Sequence, residues 1–179
     1  VRITGGLYKG RIVKMPKGIL RPAMDRMRES MFAVIGPLKG CSFLDMFSGS
    51  GVVALEAASR GADPVVLVEK DIKKKPVLNE NILIAADTDI RVLYMPAERF
   101  IRTTSETFDY IHLDPPFPLQ NKIALLELID AAPLLASGGT ITIHYPKEDN
   151  LPPQVAGLKR YDLRTYGRSY LAFFTKQTE

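Results

Sequence analysis

The chain has 179 residues, 46% hydrophobic and 25% charged, with a formal net charge of +4. That is the size and make-up of one ordinary globular domain able to bury a core without disulfides or metal. No apolar run approaches the roughly 18 residues of a membrane span, no signal-peptide pattern opens the chain, and the single cysteine, Cys41, excludes an intrachain disulfide. A reducing, cytoplasmic setting is therefore expected. The chain begins at Val1, which leaves room for an initiator residue or a short leader.

The charge is unevenly placed. Residues 1–28 hold eight of the 24 basic groups, Arg2, Lys9, Arg11, Lys14, Lys17, Arg21, Arg26 and Arg28, but only one of the 20 acids, Asp25, so the rest of the chain is net negative. A concentrated basic segment is the electrostatic footprint of a phosphate backbone, or else a solvated basic face. Within it, Gly5-Gly6 and Lys9-Gly10 signal turns, and Arg11 to Met15 alternates like a strand, which predicts a small hairpin or arm over residues 1–22. The main domain is expected over residues 23–179. Met24, Met27, Met31, Phe32 and Ile35 recur at helical spacing until Gly36-Pro37, as a core-facing helix would.

From residue 41 strands and helices alternate. Short apolar strands are predicted over residues 42–47, 65–69, 90–95, 108–114 and 140–145, separated by helices through Arg60, over residues 72–86, around Arg99 and over residues 122–132. Two further strands, near residues 161–166 and 170–176, read as a closing hairpin. This pattern predicts an α/β fold, a mostly parallel Rossmann-like sheet covered on both faces with an antiparallel C-terminal hairpin.

The chemistry-bearing motifs all fall at the carboxyl ends of predicted strands, where open parallel sheets bind ligands. The first strand runs through Asp45-Met46-Phe47 into Ser48-Gly49-Ser50-Gly51, and the second ends in Glu69-Lys70, with Glu69 18 residues after Gly51. Glycines allow a tight turn and close approach of a ligand. The distal acid can accept hydrogen bonds from both hydroxyls of a ribose, so the pair points to an adenosine-containing cofactor. Gly49-Ser50-Gly51-Val52-Val53-Ala54 also fits a dinucleotide fingerprint. Asp45 favours a cationic ligand such as an aminoacyl sulfonium, because a carboxylate beside the loop repels a pyrophosphate. The fourth strand ends Asp114-Pro115-Pro116-Phe117. An exocyclic amine on a base is a poor nucleophile, its lone pair being delocalised into the ring. A carboxylate and a rigidly aimed prolyl carbonyl can accept its N–H hydrogens and the charge that develops on attack, and Phe117 offers a face for stacking.

Asp45 to Gly51, Glu69 and Asp-Pro-Pro-Phe at 114–117 together resemble the class I S-adenosylmethionine-dependent methyltransferases. The segments Arg2-Ile3-Thr4-Gly5-Gly6, Lys9-Gly10-Arg11 and Arg21-Pro22-Ala23-Met24-Asp25-Arg26-Met27-Arg28-Glu29 narrow the likeness. With them, essentially the whole chain is similar to the bacterial 16S ribosomal RNA guanine-N2 methyltransferases. The resemblance implies a seven-stranded Rossmann-like sheet and transfer of a methyl group from S-adenosylmethionine to the N2 amine of a guanine in ribosomal RNA, naked or in a partly assembled small subunit. It implies cofactor contacts from Asp45, Phe47, Ser48, Gly49, Gly51, Glu69, Lys70, Ala97, Glu98 and Asp114. It implies a catalytic group of Asp114, Pro115, Pro116 and Phe117, and RNA contacts from Arg2, Lys9, Arg11, Arg21, Arg26 and Arg28. Two departures stand out. His144-Tyr145-Pro146-Lys147-Glu148 follows strand five, where the family often carries an acidic pair, and Ala23-Met24 stands where hydroxyl residues are common.

No metal is implied. His112 and His144 lie on separate strands without ligand spacing, so both read as structural, and Cys41 reads as a small core residue. A monomer is expected, since no long apolar stripe calls for a dimer. The amine motif alone leaves open an adenine-N6 or other amino methyltransferase acting on DNA or another RNA. A nicotinamide-dependent oxidoreductase would share the glycine turn, and a non-catalytic RNA-binding assembly factor would share the basic segment.

Overall fold

The computed structural model describes residues 1–17, 24–117 and 121–177. Its elements follow the expected alternation: α1 (Met24–Ile35), β1 (Phe43–Met46), α2 (Val52–Ser59), β2 (Val65–Val68), a 3-10 turn (Ile72–Lys74) leading into α3 (Lys75–Ile82), β3 (Ile90–Leu93), α4 (Ala97–Thr103), β4 (Phe108–Leu113), α5 (Lys122–Ala131), β5 (Leu135–Pro146), β6 (Gln154–Val155), β7 (Leu158–Tyr166) and β8 (Ser169–Lys176). They form one sheet in the order β3-β2-β1-β4-β5-β8-β7-β6. The strands β1 to β5 pair in parallel and β6 to β8 antiparallel. Among the described residues the sheet has eight strands rather than seven, because the two-residue β6 adds an edge to β7.

Strand alternation sorts the core into two layers, since successive side chains leave a strand on opposite faces. Phe43, Val65, Leu67, Leu171 and Phe173 pack with α1, α2 and α3. Leu44, Met46, Val66, Val68, Ile111, Ile141 and Phe174 pack with α4 and α5. Several expected elements differ in extent, among them α3, which ends at Ile82 rather than 86, and β7, which begins at Leu158 rather than 161. β5 begins at Leu135, not Thr140, because Leu135 pairs with Phe108 across a register shift. Gly139 permits that path, since a Cβ there would meet the Asp109 carbonyl oxygen at 2.6 Å. The alternating stretch Arg11 to Met15 forms only a single bridge, Ile12 with Arg2.

The first 17 residues lie against α2 and α3. Ile3, Tyr8 and Val13 belong to the core. Glu56 of α2, fully buried, accepts hydrogen bonds from the backbone N–H groups of Thr4 at 2.9 Å and Gly5 at 3.1 Å. Asn81 of α3 accepts one from the Lys14 N–H at 3.0 Å.

Candidate active site

In a sheet of this order the strand sequence reverses direction between β1 and β4, and the crevice above that point is the natural ligand site. A cavity of about 730 Å³ lies there, lined from β1 and its loop by Asp45, Phe47, Ser48, Gly49 and Ser50, from β2 by Val68, Glu69 and Lys70, from the start of α4 by Pro96, Ala97 and Glu98, and from β4 by His112, Asp114 and Pro116. Such a volume suits a nucleoside-sized ligand.

The local sequence explains the shape. Phe47 leaves β1 with φ 62, a left-handed conformation uncommon outside glycine. Its N–H and that of Ser48 both donate to the Val68 carbonyl, at 3.0 and 3.2 Å, which turns the chain sharply upward. The two glycines then divide the work. A Cβ on Gly49 (φ +58) would meet nothing within 4 Å, whereas one on Gly51 (φ +82) would lie 2.7 Å from Leu78 Cδ1 and 3.0 Å from Leu67 Cδ2. Gly49 thus keeps the cavity wall low, while Gly51, which caps α2 and does not line the cavity, lets that helix sit tightly on the core.

The cavity is acidic. Asp45, 1% exposed, accepts a 3.2 Å hydrogen bond from the Ala54 N–H. Burial, reinforced by the neighbouring charges of Asp114 and Glu69, pushes its carboxyl well above the usual aspartate range. Glu69 accepts from the Gly49 N–H at 2.8 Å and the Asp71 N–H at 2.9 Å, with the Lys74 ammonium at 3.6 Å. Asp114 and Glu69 destabilise a charge on Asp45, and three carboxylates around one crevice favour a cationic occupant. Apolar side chains, Val53, Val68, Ile72 and Met95, complete the wall.

Of the residues singled out in the sequence, Asp45, Phe47, Ser48, Gly49, Glu69, Lys70, Ala97, Glu98, Asp114 and Pro116 come together in this one cavity. Pro115 is buried beside it, and Phe117 is exposed at 39% beyond it. Arg2, Lys9, Arg11 and Arg26 are exposed, and Arg21 lies outside the described residues. Arg28 requires a correction. It is fully buried, with Nη2 donating to the Arg2 carbonyl at 2.6 Å and to Asp25 at 2.7 Å, and Nε to Glu56 at 3.4 Å. It ties α1 to α2 and offers no guanidinium face to a phosphate, because removing it from Glu56 would strand a buried charge.

Sequence reasoning missed several residues. Met15, from the N-terminal segment, lines the cavity, and nothing local in the sequence marks it. His112 is buried, its Nδ1 2.7 Å from Thr142 Oγ1 and its Nε2 without a partner among the described residues. Desolvation lowers its pKa to about 4, against a smaller opposing pull from Asp114. His144 is within hydrogen-bond reach of Asp114, Nδ1 to Oδ1 3.1 Å. The rim beyond them is tied down by the buried Lys122, at the head of α5, paired with Asp149 after β5.

A reversing parallel sheet, a glycine turn opening α2 and an acidic nucleoside-sized crevice that ends in Asp-Pro-Pro-Phe define a Rossmann-like S-adenosylmethionine-dependent methyltransferase. The chain belongs to the family described as Conserved hypothetical protein 95, whose model matches residues 1–175. It is 34% identical to the "Putative rRNA methyltransferase YlbH" of Bacillus subtilis over 183 residues, 99% of this chain and 100% of that one. It is 28% identical to the "Ribosomal RNA small subunit methyltransferase D" of Escherichia coli K12 over 181 residues, 100% of this chain and 91% of that one. The solved structure of the putative methyltransferase yhhF from Escherichia coli superposes with a TM-score of 0.90 at 28% identity, covering 100% of this chain and 99% of the other. No helix among the described residues is long and apolar enough to cross a membrane. No three or more His, Cys, Asp or Glu side chains among them are placed together so as to hold a metal ion.

Proposed function

We propose that this protein transfers a methyl group from S-adenosylmethionine to the exocyclic N2 amine of a guanine in small-subunit ribosomal RNA. The observation that carries the reading is the position of Asp114, which lines the same crevice as Ser48 and Gly49. An amine gripped by Asp114 therefore lies beside a donor held on the glycine turn. The small-subunit RNA substrate is supported by the named activity of the Escherichia coli relative.

Asp45 and the open backbone at Gly49 would hold the aminoacyl end of the cofactor, Glu69 its ribose, and Ala97 with Glu98 the edge of its adenine. When bound, S-adenosylmethionine supplies an electrophilic methyl group on a positively charged sulfur. The protein's own task is to present the nucleophile. The guanine leaves its stack or comes from unpaired RNA, and Phe117, at the exposed rim, provides the surface on which it lies. The Asp114 carboxylate and the Pro115 carbonyl accept the two N–H hydrogens, localising the nitrogen lone pair and stabilising the positive charge that appears on it. Alignment then supplies much of the acceleration, and the surplus proton of the methylated amine leaves afterwards. Exposed Lys9, Arg11 and Arg26 would contact phosphates beyond the crevice, Arg2 with them. The reading is of a monomer working in the cytoplasm, on naked RNA or a partly assembled subunit.

The test is incubation of the protein with isotope-labelled S-adenosylmethionine and small-subunit RNA from cells lacking it, followed by nucleoside mass spectrometry. Labelled N2-methylguanine is expected. Label in N6-methyladenine, or none in RNA or assembled subunits, overturns the proposal. Asp114→Ala should lower turnover by about a hundredfold or more, a larger loss than in cofactor affinity. Near-normal turnover would remove Asp114 from its assigned role.

A further inference from the structure

We propose that His144 is a positioning residue for the reaction, holding Asp114 through Nδ1–H while its ring braces Phe117. The inference rests on the reading of Asp114 as the acceptor of the substrate amine. It assigns work to a residue that sequence alone treats as structural.

The placement follows from the sheet. Leu113, the last residue of β4, pairs with Ile143 of β5, and β5 runs on to Pro146. The residue after each, Asp114 and His144, therefore stand side by side beyond the end of β4. His144 Nδ1 lies 3.1 Å from Asp114 Oδ1, and His144 Nε2 lies 2.8 Å from Ser169 Oγ. The Phe117 ring meets the imidazole edge-on, with centroids 5.2 Å apart and planes at 64°. His144 is 7% exposed. One imidazole thus touches both the carboxylate and the aromatic ring of the Asp-Pro-Pro-Phe motif.

Proton counting fixes the direction of the contact. An ionised carboxylate only accepts, so Nδ1 must carry the hydrogen. Nε2 then has two options, because Ser169 Oγ also reaches the Tyr166 carbonyl at 3.0 Å. In the neutral ring the serine hydroxyl donates to Nε2. In the imidazolium it turns its hydrogen to the Tyr166 carbonyl and accepts from Nε2–H. Both arrangements keep Nδ1–H on Asp114, so the carboxylate keeps this donor whichever charge the ring carries. Among the described residues, His112 on β4 and Asp45 on β1 are titratable groups that act electrostatically on this pair, with Glu69, after β2, acting on Asp45. A charge on Asp45 favours protonation of Asp114. The His144 Nδ1–H is a donor that opposes it.

The consequence is separable from simple packing. His144→Leu removes the donor and should lower kcat by about ten- to a hundredfold through misplacement of the acceptor. It should leave the KM for S-adenosylmethionine within about threefold and move the acid limb of the kcat–pH profile to higher pH, because Asp114 then takes up a proton more readily. His144→Asn, whose amide N–H occupies the place of Nδ1–H, should recover most of kcat and return the acid limb towards that of the parent. Independently of turnover, the proton NMR spectrum of the intact protein should contain an exchange-protected imidazole N–H resonance that His144→Leu and Asp114→Ala both abolish. If His144→Leu leaves kcat and the acid limb unchanged while Asp114→Ala is inactive, the role of His144 is overturned and that of Asp114 stands. Equal losses in the leucine and asparagine variants, both folded, also overturn it, because a donor would then not matter. If Asp114→Ala itself keeps its turnover, the amine-gripping role falls and the positioning role with it.

Discussion

Two buried carboxylates on the same αβ unit are treated in opposite ways. Glu56, in α2, is surrounded by donors: the Thr4 and Gly5 N–H groups, the Thr4 hydroxyl at 2.8 Å and the guanidinium groups of Arg28 and Arg60. Asp45, one strand away, has a single N–H donor among the described residues, Ala54, and faces two further acids. Burying a carboxylate is costly unless partners replace its water. The first centre is closed by the protein's own cations and fastens the N-terminal segment and α1 to the sheet. The second is left short of positive charge at the mouth of a cavity. On the proposed function, that shortfall is where the cationic cofactor would sit.

The contrast can be broken at either end. The largest expected effect is at the closed centre: Glu56→Ala leaves the buried Arg28 without its interior partner and should cost about 3–5 kcal/mol, roughly 10 °C in Tm for a domain of this size, with the N-terminal segment becoming protease-sensitive. A change under 1 kcal/mol would mean that the network does not hold the segment. Next is the acid limb of stability. The folded pKa of His112, about 4, lies below its ordinary 6.5, so between those values the unfolded chain binds a proton that the folded chain does not. Stability should therefore fall as pH drops through that window, by at most about 3 kcal/mol. His112→Gln should flatten the curve, and an unchanged slope in denaturant titrations at pH 4 to 7 would contradict the assignment.

The two glycines sharpen the same comparison on a smaller scale. Gly51→Ala presses a methyl onto Leu78 and should cost about 1–3 kcal/mol with cofactor affinity of the folded protein little changed. Gly49→Ala costs about 1 kcal/mol in backbone strain and should lose more in affinity than in stability, since its methyl points into open space at the cavity wall. Melting curves paired with binding isotherms separate the two, and identical behaviour would erase the distinction. The smallest expected effect is on RNA binding. Each of Lys9→Gln, Arg11→Gln and Arg26→Gln should reduce the slope of log affinity against log salt by somewhat under one unit, about 0.7–0.9.

How much of this was legible in the sequence depends on distance along the chain. The turn after β1, the acid at the end of β2 and the Asp-Pro-Pro-Phe end of β4 are local signals, because the residues that make each feature adjoin one another. A mostly parallel sheet follows from the alternation of strands with helices, whereas the order of the strands does not, since the same alternation is compatible with more than one order. What escaped needs a partner far along the chain. The cluster of basic residues at 1–28 does not reveal that Arg28 turns inward to Glu56, 28 positions later. His144 carries no mark of its neighbour, since only the pairing of β4 with β5 brings it to Asp114. Gly51 and Gly49 look alike in a motif, and the packing of Leu67 and Leu78 alone distinguishes them. The early start of β5 depends on the close approach of Gly139 to the backbone of Asp109, which propensity does not encode.

The claim that the crevice is built short of positive charge is tested most directly by Asp45→Asn, measured twice on one preparation: melting without ligand, and S-adenosylmethionine affinity by calorimetry. The Asp45 pKa is raised on folding, so its cost to stability sets in as pH climbs through the ordinary aspartate range towards the raised value and is fully present above it. At a pH above that window the amide should make the ligand-free protein more stable, by about 1 kcal/mol, and weaken cofactor binding by about tenfold or more. A variant that melts lower than the parent, as Glu56→Ala should, or that binds the cofactor as tightly as the parent, would contradict the account.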